Sequence, residues 1–206
     1  MEKIFRKSGS RSGQAGFTLV ELLVVISIVG LLAGLVTVAV PRAMEAGKKA
    51  KAKGELTAVI AALKAYKQEY GQWPTASGDR SEDEWFGGGN YGNPENGRTL
   101  MKILSGSNII VSGVGQNPKS VTFFEGAKVS SGRRDTSGGE LLDPWGTQYG
   151  FKVDTDESSS LEYCNPQGPD RPNIQMTAIG VSFGKNKSQE EIEMKDKTWD
   201  DIFSWR

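Results

Sequence analysis

One carboxylate, Glu21, lies inside an otherwise uncharged apolar stretch and needs a chemical explanation. The 24 residues from Phe17 to Val40 contain no other charged side chain. A carboxylate within a membrane span is unfavourable; at a helix centre an Asp costs about 2.5–3.5 kcal/mol. Such a charge usually has a partner and a function. If the chain is cut after Gly16, Phe17 gains an α-ammonium group one helical turn from Glu21, which supplies a partner within the chain or on a neighbouring copy.

Residues for the common catalytic sites are missing from this sequence. There is no histidine, so a Ser-His-Asp triad, a Cys-His pair and the zinc motif HExxH are all excluded. Cys164 is the only cysteine, so no intramolecular disulfide can form, and we interpret it as a small buried apolar residue. No two acids form an acid–base pair at a defined spacing. The sequence therefore predicts that the protein is not an enzyme.

A long helix is the element that carries Glu21. As a helix the apolar stretch is about 36 Å long, enough to cross a hydrocarbon core of about 30 Å. Beyond Val40 the pattern becomes amphipathic, which predicts one helix from Phe17 to about Tyr70 with a kink or local melting at Pro41. The apolar positions of its second half are Leu56, Val59, Ile60, Leu63, Tyr66 and Tyr70.

Charge is unevenly distributed along the chain. The first 16 residues carry four basic side chains and one acid, whereas the whole chain has 25 basic and 25 acidic residues. This bias predicts that these 16 residues stay in the cytoplasm and that the chain beyond the apolar stretch lies outside it. The balance gives no reason to expect a nucleic-acid partner. An uncleaved signal anchor is the alternative interpretation of the apolar stretch, and it leaves Glu21 unexplained.

The stretch Gly16-Phe-Thr-Leu-Val-Glu-Leu-Leu-Val-Val-Ile resembles the processing signal of type IV pilins and type II secretion pseudopilins. In that family a prepilin peptidase cuts after the glycine and N-methylates the exposed residue, here Phe17. The resemblance implies four segments: a leader (1–16), a transmembrane and filament-core helix (17–40), the amphipathic half of the same helix (41–71) and a globular head (72–206).

The head is predicted to be α+β, with a small antiparallel sheet, long loops and the long helix packed on the sheet. Gly71 suits a helix C-cap and Pro74 cannot continue the helix. Residues 72–97 are rich in Gly and Asn and are predicted to form a loop. The further predictions are a short helix at Arg98–Ser105 and strands at Ile109–Val111, Val121–Phe124 and Gln148–Val153.

A second motif, Asp143-Pro-Trp-Gly, resembles a signature of the major pseudopilins of type II secretion. Asp143 and Pro144 favour a turn, Trp145 can fill the interface between helix and sheet, and Gly146 allows the chain to reverse. Each residue therefore has a structural role.

The C-terminal loop (179–206) is similar to the loop with which major pseudopilins bind calcium. That resemblance places Asn186 and either Asp200 or Asp201 as ligands. Asn186 keeps an oxygen donor and loses a carboxylate charge, while nearby lysines compete with a cation. In the alternative interpretation the acids pair with those lysines and apolar residues such as Phe203 dock on the head. An EF-hand at Asp154–Ser158 is rejected because its sixth and twelfth positions do not fit.

The resemblance implies a structural subunit that polymerises into a periplasmic pseudopilus. Its expected partners are further copies of itself, the prepilin peptidase, the inner-membrane secretion platform, minor pseudopilins and, before assembly, membrane lipid. The expected location is the inner membrane, with a single span and a periplasmic head. The alternative is a minor or adhesive type IV pilin whose head binds a surface, DNA or a partner protein.

Overall fold

The computed structural model describes residues 16–88, 92–125, 140–162, 173–185 and 201–204 of the 206-residue chain. The chain forms two compact units, one up to Met44 and one from Glu45 onward. The first element is helix α1, Leu19–Tyr70, which confirms the predicted long helix. Helix α1 continues through Pro41, so the predicted local melting there is wrong, while a bend at Pro41 stays a prediction.

The part of α1 in the first unit presents its apolar side chains to the surroundings. The large apolar residues from Phe17 to Val40 are between 46% and 80% exposed. Within the described ranges, α1 is the one helix long and apolar enough to cross a membrane by length and composition. The described part of the chain leaves these side chains exposed, and an apolar surface of this size is typical of a site that contacts lipid or other protein chains.

The part of α1 in the second unit has one buried face, as the amphipathic pattern predicts. Its core residues are 0% to 9% exposed and repeat at helical spacing. Gly71 follows with φ +73°, and its N–H donates to the Lys67 carbonyl, which is the predicted C-cap. The buried residues are Ala52, Leu56, Val59, Ile60, Ala62, Leu63 and Tyr66.

The head contains a four-stranded antiparallel sheet and a second helix, which confirms the α+β fold. The strand order is β1 (Glu84–Gly87), β4 (Gly150–Val153), β7 (Ala178–Ser182) and β8 (Ile202–Phe203). Helix α2 spans Pro94–Leu104. Two antiparallel strand pairs complete the described elements: β2 (Ile110–Val111) with β3 (Val114–Gly115), and β5 (Leu161–Glu162) with β6 (Asn173–Ile174).

The segment 72–97, which the sequence predicts to be loop, contains a strand and the start of a helix. The segment 72–97 contains strand β1, whose Phe86 is fully buried and pairs with Phe151. Helix α2 begins at Pro94, four residues before the predicted start, because the Asn93 side chain caps it by accepting from the Glu95 N–H at 2.9 Å. Proline is well suited to the first helical position, so the Asn-Pro pair starts the helix rather than marking loop.

The predicted strand at Val121–Phe124 is also wrong. The backbone N–H groups of Phe123 and Phe124 both donate to the carbonyl of Leu104, at 2.8 and 3.0 Å. They cap the end of α2, where the helix leaves carbonyl groups without an internal partner. The strands predicted at 109–111 and 148–153 are confirmed as strands β2 and β4, which are shorter than predicted.

Gly87 is required where β1 lies against β4. Its φ is +91°, and a Cβ added there would lie 2.0 Å from the Tyr149 carbonyl oxygen. We expect Gly87→Ala to destabilise the head by about 3 kcal/mol or more, because backbone strain and a backbone clash add. Near-UV circular dichroism of the full chain in detergent micelles, followed against temperature, measures the change.

A glycine with the same backbone conformation and open surroundings is the matched control. Gly113 has φ +82°, and in the part of the chain that the structure describes no atom lies within 4 Å of an added Cβ. Gly113→Ala should therefore cost only about 1–2 kcal/mol, the strain of the left-handed conformation alone. Equal losses in the two variants would contradict the role of the close approach between β1 and β4.

Candidate functional site

The start of α1 places Glu21 in a reciprocal hydrogen-bonded arrangement with Thr18. Oε2 of Glu21 accepts from the Thr18 backbone N–H at 2.9 Å and from Thr18 Oγ1 at 2.7 Å. In return, Thr18 Oγ1 accepts from the Glu21 N–H at 3.2 Å. Thr18 is the residue before the helix and Glu21 the third residue within it, so the pair forms a capping box. The positive end of the helix dipole favours a carboxylate at this position.

This partner of Glu21 was missed in the sequence analysis. The sequence predicted an ammonium group on Phe17 as the partner of the Glu21 carboxylate. In the uncleaved chain the carboxylate instead accepts hydrogen bonds from Thr18. The signal was present, because a Thr followed three residues later by a Glu before an apolar run is the capping-box pattern. Glu21 therefore has a local partner before any cleavage and before any contact with another copy.

Gly16 and Phe17 lie just outside the helix, next to the capping box. Both residues are exposed and neither is helical; Phe17 is 80% exposed. Among the described residues, no atom lies within 4 Å of a Cβ added at Gly16. The peptide bond between them is thus open to another protein, and the structure brings the predicted processing residues and Glu21 to one helix end.

The C-terminal candidate site is only partly within the described residues. Asn186 and Asp200 lie outside them, so neither can be placed. Asp201 is 9% exposed and directly precedes β8, the edge strand beside β7. A carboxylate at this edge is a hard oxygen donor of the kind that Ca²⁺ prefers, so the one placed residue of the predicted set fits such an ion.

Strand β8 itself is held by several contacts in the head. Lys53 Nζ of α1 donates to the Phe203 carbonyl at 2.6 Å. Ser204 and Gly180 exchange two hydrogen bonds, each of 2.9 Å. Phe203 is 5% exposed and Ile202 is partly buried, so Phe203 docks on the head as the alternative interpretation of this loop expects, and Ile202 packs beside it. Strand β8 and Ser204 are therefore attached to both the sheet and the long helix.

The Asp-Pro-Trp-Gly motif forms a tight turn, as predicted, and the turn closes around the Asp143 carboxylate, which is buried. Asp143 Oδ1 accepts from the N–H groups of Trp145 and Thr147 at 3.0 and 2.8 Å. Its Oδ2 accepts from Ser182 Oγ at 2.7 Å. Burial raises the pKa of the Asp143 carboxyl, and the hydrogen bonds it accepts oppose that rise. Gly146 completes the turn with φ +85°.

A residue close to this turn connects it to the long helix. Tyr149 is 1% exposed, and its hydroxyl donates to Glu55 Oε2 of α1 at 2.5 Å. Burial and the Glu55 carboxylate raise the pKa of the Tyr149 hydroxyl, so it stays protonated and keeps donating. The turn segment therefore contacts helix and sheet through polar groups.

The fold also assembles an acidic cluster that the sequence did not reveal. Asp83, Asp154 and Asp156 place one carboxylate oxygen each within 4.8 Å of one another. Asp83 joins the other two because Glu84 and Val153 are paired on β1 and β4. Burial raises the pKa of Asp83 and of Asp154, and Lys152 Nζ lies 3.1 Å from Asp83 Oδ2. Three carboxylates at this spacing are the type of group that can hold a cation.

Comparison with known proteins points to the N-terminal end of the chain. Residues 11–37 match the family model for the prokaryotic N-terminal methylation motif. Over 68 residues the chain is 44% identical to the type II secretion system core protein G of Pseudomonas aeruginosa. This match covers 32% of the present chain and 46% of the relative, so the chain spans about half the length of the curated relative that it matches. No solved structure matches the chain. Both matches confirm the resemblance drawn from the sequence.

Proposed function

We propose that this chain, which carries the prokaryotic N-terminal methylation motif and resembles a type II secretion core protein, is a structural pseudopilin subunit. In this proposal it is cleaved after Gly16, N-methylated at Phe17 and polymerised into a periplasmic pseudopilus for protein secretion. The observation that carries the proposal is the exposed Gly16–Phe17 junction next to a capped Glu21, at the start of an uncovered apolar helix. The proposed role is structural and does not require the chain to catalyse a reaction.

The proposed processing step needs a reachable peptide bond and a helix that stays in the membrane. The Gly16–Phe17 bond lies before the first residue of α1, so a peptidase can bind it without unwinding the helix. Cleavage leaves Phe17 with an α-ammonium group beside Thr18 and within one turn of Glu21. The new positive charge and the Glu21 carboxylate then compensate each other in a medium that penalises isolated charge.

The proposed assembly step replaces lipid around the apolar half of α1 with neighbouring copies. Glu21 of one copy and the Phe17 ammonium of the next can pair, which fixes the axial register of the two helices. A charge pair in an apolar environment favours one register, because any shift leaves a buried charge unpaired. The exposed apolar residues supply contact area, and the charge pair supplies specificity.

The proposed location follows from the same features. The basic leader stays in the cytoplasm until it is removed, α1 crosses the inner membrane, and the head lies in the periplasm. The proposed partners are the prepilin peptidase, the inner-membrane secretion platform, minor pseudopilins and further copies of this chain.

We expect intact-mass analysis of the membrane-inserted protein to show loss of residues 1–16 and a gain of one methyl group. The physical reason is the accessible junction described above, which any bulky residue at position 16 would obstruct. Gly16→Val is therefore the matched control and should keep the whole leader. A native chain that retains its leader in a host with an active prepilin peptidase would contradict the proposal.

We also propose that the C-terminal loop binds calcium through Asn186 and Asp200 or Asp201. Asp201 is the ligand with a described position, directly before the edge strand β8. Asn186 in place of an acid and the lysines of the segment lower the expected affinity, to about 0.1–1 mM, the range of weak extracellular calcium sites.

Titration calorimetry of the full chain with calcium chloride, in detergent micelles, tests this site. The double change Asp200→Asn and Asp201→Asn should abolish the heat of binding. The matched control is Asp154→Asn with Asp156→Asn, which removes two carboxylates from the acidic cluster and should leave the heat unchanged. Loss of heat only in the control pair would move the calcium to the cluster and overturn the proposed C-terminal site.

A further inference from the structure

The segment of α1 that follows the apolar stretch is strongly basic. Between Pro41 and Gly54 it carries five basic side chains and one acid, Glu45, whereas the whole chain has equal numbers of basic and acidic residues. The basic residues are Arg42, Lys48, Lys49, Lys51 and Lys53. In the proposed topology this segment follows the span on its periplasmic side, where an excess of basic residues is unusual. Such a concentration of positive charge favours contact with a negatively charged surface.

Contacts within the head divide these lysines into two pairs. Lys51 Nζ lies 3.8 Å from Glu55 Oε1, and Lys53 Nζ donates to the Phe203 carbonyl at 2.6 Å. Lys49 is exposed and Lys48 is half-buried. Within the described residues, no salt bridge or side-chain hydrogen bond involves Lys48 or Lys49. The described part of the head therefore leaves these two ammonium groups for an outside partner.

The spacing of the two lysines from the apolar stretch matches the depth of lipid headgroups. A hydrocarbon core of about 30 Å holds about 20 helical residues, so with Glu21 at its inner edge the core ends near Pro41. Lys48 and Lys49 follow seven and eight residues later, about 10–12 Å along the chain at the helical rise. The headgroup layer occupies about 5–7 Å of this distance. Both ammonium groups are thus within about one Debye length, about 10 Å, of the phosphates, and their flexible stems extend the reach.

We propose that Lys48 and Lys49 bind the phosphate groups of anionic phospholipids in the outer leaflet of the inner membrane. This inference rests on the proposed membrane location of the chain and adds a preference for one class of lipid to it. Charge complementarity favours an anionic headgroup over a zwitterionic one. Continuity favours lipid over an acidic protein surface, because the apolar part of the same helix holds the segment next to the headgroups before any other subunit arrives.

The test measures the lipid preference of the full chain in phosphatidylcholine vesicles. Electron spin resonance gives the relative association constants of spin-labelled phosphatidylglycerol and spin-labelled phosphatidylcholine at the protein surface. The preference for phosphatidylglycerol should fall about threefold in the double variant Lys48→Gln with Lys49→Gln, because two cations near the headgroups are lost. Glutamine and lysine have similar helix propensities, so α1 should persist in this variant.

A second double variant with the same change of net charge is the matched control. Lys64→Gln with Lys185→Gln removes two exposed ammonium groups that lie further along the chain, and it should keep the native lipid preference. The basic residues before Gly16 are present in every variant, so the difference between the two double variants reports the segment after the apolar stretch. In 1 M sodium chloride, where the Debye length is about 3 Å, this difference should disappear.

The outcomes separate the inference from the proposed function. A native preference for phosphatidylglycerol in the inserted Lys48→Gln, Lys49→Gln chain would overturn the inference and leave the proposed function intact. If that variant also lost filaments, the partner of the two lysines would be an acidic surface on another protein. Flotation with the vesicles is measured first, and a native chain that does not float would overturn the proposed membrane location together with the inference.

Discussion

Glu21→Ala should remove filament assembly while cleavage after Gly16 and methylation of Phe17 proceed normally. The alanine variant has no carboxylate to pair with the Phe17 ammonium of a neighbouring copy, so that ammonium is left uncompensated among apolar side chains. Each 1.4 kcal/mol lost per contact lowers an association constant about tenfold, and a filament repeats the loss at every subunit. Electron microscopy and shearing assays of filament yield, with intact-mass analysis of the same cells, measure the two effects separately.

Two further variants separate the charge of Glu21 from its capping role. Glu21→Gln keeps a side chain that can complete a capping box and loses the negative charge. Thr18→Ala keeps the charge and loses the hydroxyl that bonds Glu21 Oε2. We expect Glu21→Gln to fail in assembly like the alanine variant and Thr18→Ala to retain filaments at reduced yield. Normal filaments from Glu21→Gln would show that capping, rather than charge, is what the position supplies.

Asp143→Ala should destabilise the head by about 3 kcal/mol or more. The change removes the acceptor for two backbone N–H groups and for the Ser182 hydroxyl, in a place where Asp143 is 1% exposed. Each buried donor left without a partner costs about 1–3 kcal/mol. Thermal unfolding of the full chain in micelles, followed by near-UV circular dichroism, should show a lower midpoint for loss of tertiary signal.

An exposed aspartate with the same local hydrogen-bond pattern is the control for Asp143. Asp79 Oδ1 accepts from the Ser81 N–H at 2.9 Å and from Ser81 Oγ at 2.8 Å, but both groups are open to water. Water can replace the lost acceptor there, so Asp79→Ala should cost well under 1 kcal/mol. A loss in Asp79→Ala as large as that in Asp143→Ala would show that burial of the Asp143 turn is not the source of its effect.

The long helix could be predicted from the sequence because its two signals are local and strong. An apolar run with one charged residue, Glu21, and a helical repeat of apolar residues together indicate helix over Leu19–Tyr70. The Asp-Pro-Trp-Gly turn was predictable for the same reason, since each of its residues has a backbone preference that acts within four positions.

The errors in the head arise where distant contacts override local preference. Strand β1 lies among Gly, Ser and Asp residues and is a strand because Phe86 pairs with Phe151 on β4. The segment Val121–Phe124 has strand-forming residues, yet its N–H groups are used by the end of α2. Strand propensity is decided largely by neighbours in space, which a single sequence does not list.

For the candidate site, too, contacts between residues close in sequence could be predicted, and contacts between distant residues could not. Gly16, Phe17 and Glu21 are close in sequence, so their proximity required no knowledge of the fold. The Ser182–Asp143 pair joins residues 39 positions apart, and Asp83 meets Asp154 only through pairing of β1 with β4. Such contacts depend on sheet topology and register, and the sequence pattern specifies neither.

The exposed apolar half of α1 has a further thermodynamic consequence for the proposed move of this chain from membrane to filament. Lipid tails are as apolar as the side chains that replace them, so the exchange of lipid for protein neighbours involves almost no dehydration of hydrocarbon. The usual entropic driving force of association is therefore nearly absent along this surface. In the proposed filament, stability must come from close packing and from the few polar groups at the helix end, which makes assembly sensitive to the loss of a single charge.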